Sequence, residues 1–222
     1  MLISFLPRYE PIRSTSSDGI RTYKSPIGNV PSVTTVLSGS RDNSGLAAWK
    51  DAIGEEKAEK IVSRACFRGD MHHDNLQNYL EKGIQPTLNM ISTKYWKSSI
   101  NFYKQIHRTL ICEGQVWHPA GYSGAFDCLA YLSPEDKQPS LIDHKTADKP
   151  KKPDALYDYK LQAAAYVAGC NYVYKDYGLD IQNAYIVVAV ANSPAQIETL
   201  DRETLDQLYF HFIARLERFY IK

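Results

Sequence analysis

The chain has 222 residues, 44% of them hydrophobic and 23% charged, with a formal net charge of +1. That length allows one sizeable core and predicts a single domain over 1–222, in a composition ordinary for a globular protein. A balance this near neutral excludes a uniformly basic nucleic-acid coat, so any such contact must come from a local basic patch. No apolar run approaches a membrane span.

The opening stretch, "MLISFLPRYEPIRS", is too short and too broken by proline for a secretory signal. It also lacks the Arg/Ser-rich pattern of a transit peptide, so a cytoplasmic compartment is expected. Residues 1–30 read as polar and turn-rich, with a hairpin in "TYKSPIGNVPSV" whose turn holds Pro26 and Gly28. "PSVTTVL" reads as a helix start with Ser32 as N-cap, and Asn43 as the cap of a helix carrying Leu46 and Trp49. A long helix is predicted over 55–82, its apolar positions Ala58, Ile61, Val62, Ala65, Leu76 and Leu80 at three-and-four spacing. Another is predicted over 94–109.

The rhythm then changes to period two. Segments 110–118, 123–132 and 140–146 read as three antiparallel neighbouring strands. "KPKKPD" is a basic, proline-rich loop. A helix over 155–175, an apolar strand over 183–191, a short strand at "QIETL" and an amphipathic helix over 201–221 follow. The order predicts an α+β fold: a mixed central sheet flanked by helices, with a mainly helical part over 1–109 and a core over 110–200. Cys66, Cys112, Cys128 and Cys170 are widely spaced with no C-x-x-C pair, which predicts free thiols rather than a zinc site or a disulfide framework.

Polar residues in the strands call for explanation. In "LIDHKT", Asp143 and Lys145 share a face, and burying such a pair is costly unless it is mutually paired or holds a metal. Asp127 shares a face with Ala125 and Leu129, and Gly124 beside it leaves room for another group to approach. Glu113 shares a face with Ile111, Gln115 and Trp117. Three acids on neighbouring strands repel one another without a cation, and oxygen-rich clusters suit Mg²⁺ or Mn²⁺. On the long helix, His73 is spaced from Gly69, Leu76 and Leu80 so as to lie on the inward face, where Gly69 permits close approach. His72 borders that face, and a core histidine is the competing reading for either. Asp158, Gln162 and Tyr166 lie at i, i+4, i+8, with tight helix–sheet packing as the alternative.

The order G-x-F-D, D-x-K, Q-x-x-x-Y resembles the PD-(D/E)xK nuclease superfamily in its RecB-like branch. It appears here as "GAFD" ending at Asp127, "DHK" at 143–145 and "QAAAY" at 162–166. The upstream "RGDMHH" resembles that branch's helix motif and selects His73. "PSVTTVL" followed by Trp49 is similar to its phage and mitochondrial exonucleases. The likeness runs from about residue 22 to 190. D-x-K alone is a weak motif, whereas five motifs in order are specific. Phe126 replaces the proline of the superfamily's name, and Asp70 and Gln77 stand where relatives often carry Thr and Glu.

The resemblance implies a restriction-endonuclease-like core and metal-dependent hydrolysis of phosphodiester bonds in DNA. Its catalytic set would be Asp127, Asp143, Lys145 and Gln162. One or two Mg²⁺ or Mn²⁺ ions would be held by His73, Glu113, Asp127, Asp143 and the carbonyl of His144. Gln162 would position Lys145 or the DNA backbone, and Tyr166 would support its helix. The cysteine spacing of the iron–sulfur members is missing, so no cluster is expected. The implied substrate is single-stranded DNA with a free end, in a phage or bacterial setting of recombination, repair or degradation. Whether the chain acts alone or beside a recombinase or single-strand-binding protein is left open by the sequence. Candidate substrate contacts are Lys149, Lys151 and Lys152 of the basic loop, Tyr157 and Tyr159 as stacking platforms, Arg68, and Ser32, Thr34, Thr35 and Trp49 along a strand channel. A solvated loop, helix capping and core packing are the corresponding alternatives. A structure-selective endonuclease and a non-catalytic DNA-end-binding module are the competing functions.

Overall fold

The computed structural model describes residues 3, 5–16, 19–42 and 44–221. Asn43, expected as a helix cap, lies outside the described residues. A small antiparallel sheet comes first: β1 (Arg13–Thr15), β2 (Arg21–Ser25) and β3 (Gly28–Pro31). Its first strand was hidden from pattern reading because "RST" has no apolar residue to mark a face. In the β2–β3 hairpin Ser25 pairs with Gly28, so Pro26 and Ile27 form the turn and Gly28 already belongs to the strand, at φ 105°.

Four helices follow: α1 (Val33–Gly39), α2 (Ser44–Ile53), α3 (Glu55–Lys82) and α4 (Ser92–Tyr103). Ser32 caps α1 by accepting a hydrogen bond from the Thr35 N–H at 2.9 Å. Gly83 ends α3 in the left-handed conformation, its N–H returned to the carbonyls of Asn78 and Tyr79. The fourth helix stops at Tyr103 rather than running to 109, and the chain passes through a turn into a strand that starts at Arg108.

The main sheet contains β4 (Arg108–His118), β5 (Tyr122–Tyr131), β6 (Ser140–Ala147), β7 (Ala184–Val190) and β8 (Gln196–Leu200), in that spatial order. β6 and β7 are parallel and every other pair is antiparallel, which makes the sheet mixed. The parallel pair is joined across one face by α5 (Pro153–Val173), and α6 (Arg202–Ile221) closes the chain. This is the helix-flanked mixed sheet that the alternation of periods predicts.

Each face of the sheet has its own core. α1, α5 and α6 pack on one side with Phe126, Leu129, Leu141, Ile186 and Phe212. α3 and α4 cover the other with Leu76, Trp96, Tyr103, Cys128 and Val187. Each fully buried leucine, isoleucine, valine or phenylalanine among these stabilises the fold by about 1.5–3 kcal/mol. Along α3, Ala58, His72 and Leu76 are buried, whereas Ile61, Val62 and Phe67 between them are exposed. The inward face read from Ile61 and Val62 is therefore uncovered, because periodicity reports amphipathicity and not what lies opposite it. The small sheet is tied to β4 through Gln115, whose Oε1 accepts from the Ile12 N–H at 2.9 Å and whose Nε2 donates to the Lys24 carbonyl at 2.8 Å.

Candidate metal centre where two strands part

β5 and β6 pair only from Cys128–Ile142 to Ala130–Ser140, and then separate. β6 stays paired to β7 as far as Ala147. Beyond the separation the N–H of His144 has no strand partner, and Asp127 supplies one: its Oδ2 accepts from that N–H at 2.6 Å. A buried carboxylate thus stands where a ladder bond would have been.

Glu113 occupies the rung facing Asp127, between the pairs Cys112–Cys128 and Gly114–Phe126. Its φ is +53°, in the left-handed region that a non-glycine residue adopts at a cost of about 1–3 kcal/mol. This residue breaks the alternation expected of the strand. Ile111 and Val116, of opposite parity, both enter the α5-side core, so the shared face read for Ile111, Glu113, Gln115 and Trp117 does not persist. The same holds across the rung, where Phe126 and Leu129 both enter that core. At Gly114 a Cβ would meet the Phe126 ring at 2.6 Å, so the neighbouring glycine accommodates the break.

α3 lays His73 over this rung. Its Nδ1 is 3.4 Å from Glu113 Oε1 and 3.6 Å from Asp127 Oδ1, and its Nε2 is 3.1 Å from the His144 carbonyl oxygen. Ligand atoms of His73, Glu113 and Asp127 lie within 4.8 Å of one another. Burial disfavours charge on His73, but the Asp127 field and the Glu113 hydrogen bond outweigh it and raise the imidazole to about 9. Asp127, despite its burial, is held below the usual carboxylate range, chiefly by His73 and Lys145. His72 is the more deeply buried of the two histidines. It meets Ser99 at 3.5 Å and is driven down to about 3, first by burial, which leaves it a neutral core histidine.

Asp143 is 1% exposed and turns toward Lys145, which forms an ion pair with its Oδ2. Neither Asp143 oxygen receives a hydrogen bond of good geometry from any described group. Burial pushes this carboxyl up to about 6 against the pull of Lys145. The Lys145 ammonium, opposed by its own burial, is held above its ordinary value by Asp143 and Asp127, and it stands 5.3 Å from the centre of the Tyr159 ring. The His144 imidazole, its ring centre 5.6 Å from that of His73, reaches the α4-side core. There its Nδ1 meets the Tyr103 hydroxyl at 2.9 Å, and burial lowers it to about 3.

The donors fit a divalent cation. Two carboxylates, a carbonyl and an imidazole converge on one rung, and a buried, under-bonded carboxylate stands on the adjoining strand. A mainly oxygen set with one nitrogen suits Mg²⁺ or Mn²⁺ better than a softer metal.

A cavity of about 670 Å³ opens above the rung, lined by His73, Glu113, Asp127, Tyr166, Ser32 and Thr34 among others. Gly69 also lines it, and a Cβ there would meet nothing within 4 Å, so this glycine borders open space rather than a close helix contact. The close approach occurs at Gly124, where a Cβ would come within 2.7 Å of the Tyr166 ring. Gln162 donates to the Tyr166 hydroxyl at 3.2 Å rather than to Lys145. Asp158, one turn earlier, is committed elsewhere, to Arg215 and Arg41.

The remaining candidates are dispersed. Arg68 is 2.8 Å from Asp148 and lines a second cavity, of about 560 Å³, with Arg64, Lys149 and Lys151. Lys152 is the N-cap residue of α5 and is exposed. Tyr157 meets His211 at 2.7 Å on the surface, and Tyr159 packs against the α5-side core. Trp49 is half-buried on α2 and lines neither cavity. Tyr103, Arg13 and Arg21 escaped sequence reasoning. An aromatic residue on a helix face looks like plain core, and the two arginines sit in a segment without periodicity. The "DG" between them was the available hairpin signal.

Fold and site together define an α+β protein with a candidate divalent-cation centre at a strand divergence. No family model matches the chain. It is 28% identical over 236 residues to mitochondrial genome maintenance exonuclease 1 of Homo sapiens, an alignment covering 97% of this chain and 67% of that protein. A crystal structure of SSO0001 aligns with a TM-score of 0.39 at 13% identity, over 80% of this chain and 74% of that one, too distant a likeness to carry an argument.

Proposed function

We propose that this chain is a metal-dependent DNA exonuclease of the RecB-like PD-(D/E)xK type, formed as one domain and acting from free ends of single strands. The observation that carries the reading is the convergence of His73, Glu113 and Asp127 beside the Asp143–Lys145 pair. The resemblance to a protein named as an exonuclease supports it. His73, Glu113, Asp127 and the His144 carbonyl would hold Mg²⁺ or Mn²⁺, while Asp143 on the adjoining strand turns to Lys145. When bound, the ion supplies an acidified water and neutralises charge on the scissile phosphate.

The chain's own residues do the rest. Lys145 keeps its proton at neutral pH, and its Nζ donates to the attacking water or to the charge developing on phosphate oxygen. Asp143 fixes that ammonium in place. Tyr103 anchors the His144 side chain from behind, which fixes the carbonyl on the site side. Tyr166, held by Gln162, walls the cavity against the small face of Gly124. The basic cavity beside Arg64, Lys149 and Lys151 supplies phosphate contacts to the strand.

The test compares linear and circular single-stranded DNA with Mg²⁺ or Mn²⁺, and uses Asp143→Ala as control. Loss of the linear strand alone, abolished in the variant, supports the exonuclease. Cutting of the circle moves the assignment to an endonuclease. Binding without metal-dependent cutting of single strands, duplex ends or RNA leaves a DNA-end-binding module.

A further inference from the structure

The small N-terminal sheet brings positive charge to the same cavity. Arg13 of β1 and Arg21 of β2 both line it, and the β1–β2 register puts them with Tyr23 on one face. Arg13 Nε donates to the Tyr23 hydroxyl at 3.3 Å. Arg21 Nη2 donates to Ser32 Oγ at 3.3 Å and to Thr34 Oγ1. Each guanidinium is thus aimed by hydroxyls and left with donors to spare.

Among the described residues neither arginine has a carboxylate in salt-bridge range, as is also true of Arg64, Arg108 and Arg218, whereas Arg8, Arg41, Arg68, Arg202 and Arg215 are ion-paired. The Arg13 guanidinium is held above its ordinary value, first by Tyr23 and further, against its partial burial, by the field of Glu113, which borders the same void. A cavity of about 670 Å³ falls within the size range of small-molecule sites, about 300–1,000 Å³, which leaves room for more than one reacting phosphate.

We propose that Arg13 and Arg21 form a second phosphate subsite, which grips the internucleotide phosphate next to the one lying at the His73–Glu113–Asp127 cluster. This rests on the nuclease reading and extends it. The acidic rung takes its phosphate through a cation, whereas the arginine wall takes the neighbour directly, by paired N–H donors that match phosphate geometry. Prior anchoring by Ser32, Thr34 and Tyr23 reduces the ordering cost of that grip. The subsite fixes the register of the strand and therefore which bond reaches the rung.

The experiment uses the full chain and single-stranded oligonucleotides carrying one uncharged methylphosphonate linkage at successive positions. In the wild type, a neutral linkage adjoining the cut bond is expected to lower kcat/KM about 10- to 100-fold, mostly through KM, the size of a hydrogen-bonded charge contact. Arg13→Ala and Arg21→Ala should lose a similar factor on the unmodified strand and lose nothing more on the neutral-linkage strand. Arg21→Lys, which keeps the charge, should be intermediate, and it replaces Arg21→Ala if that variant does not fold. Losses that multiply, or arginine variants as active as wild type, overturn the subsite. If the wild type cuts nothing, the nuclease reading fails separately. The subsite is then judged by anisotropy with the same strands in EDTA, where unchanged affinity in both arginine variants overturns it.

Discussion

The Oδ2 of Asp127 accepts the backbone N–H of His144 at 2.6 Å, at the point where their two strands cease to pair. One carboxylate thereby closes a broken ladder, orients the carbonyl of His144 and leaves its other oxygen toward His73. Asp127→Asn should keep a weaker form of that bond and lose the charge. We expect turnover to fall by at least about 10²-fold, the scale of losing one preorganised electrostatic group, with the melting temperature lowered by only a few degrees. Initial rates and thermal unfolding of the same preparation check both halves.

The proposed function makes Lys145, ion-paired to Asp143, the proton donor of the site. Lys145→Ala should reduce kcat by about 10²–10³-fold and leave metal affinity nearly intact. It also leaves Asp143 buried without its ion-pair partner, so the variant should be less stable. Metal titration beside rate measurement separates the two effects.

Glu113 stores backbone strain at the site. Glu113→Gly relieves a left-handed conformation worth about 1–2 kcal/mol while deleting a proposed metal ligand. The metal-free variant should melt at or above the wild-type temperature and bind metal at least about tenfold more weakly, the scale seen when groups supporting a metal site are lost. A marked fall in its melting temperature would contradict the strain.

On the proposed reading, with His73 as a ligand, metal binding is a proton-coupled event. With its pKa raised to about 9, the imidazole is protonated at pH 7 and must shed that proton to ligate. Metal affinity should therefore rise about tenfold per pH unit up to pH 9, with about one proton released at pH 7. Calorimetry in buffers of different ionisation enthalpy reads this directly, and His73→Asn should release none. Stability of the metal-free chain follows the same group. A folded pKa raised from 6.5 to about 9 gives stabilisation that is complete below pH 6.5 and lost as pH rises through 9. Asp143, raised to about 6, is partly protonated near pH 6.5 and adds a slope of the same sign only at the low end of that window. His72 and His144, lowered to about 3, oppose this trend until they are neutral in the unfolded chain too, so the melting temperature should fall between about pH 7.5 and 9 in the wild type and less so in His73→Asn.

Gly124 is required by its neighbour. A Cβ at this position would stand 2.7 Å from Tyr166 Cε1, within a ring that is 4% exposed. Gly124→Ala should cost about 1–3 kcal/mol by overpacking, and Tyr166→Leu in the same chain should recover part of it. Chemical denaturation of the two variants measures the difference.

Periodicity alone located the helices and strands that build the sheet, because burial of one face imposes a period of two or of 3.6 on the residues themselves. It also singled out Asp127, Asp143 and Lys145, since charges in strands that read as buried contradict their surroundings. Tertiary structure decided what no period encodes. The left-handed Glu113 reverses the alternation of its strand, and only the facing rung shows where its carboxylate goes. His72 and His73 are adjacent on one helix, and the elements packed on either side make one a core residue and the other a site residue. Arg13 and Arg21 join the site from a polar hairpin because Gln115 ties that hairpin to β4. Local sequence carries the pattern of burial, whereas a site depends on side chains far apart in the chain meeting in space, and that meeting is set by packing.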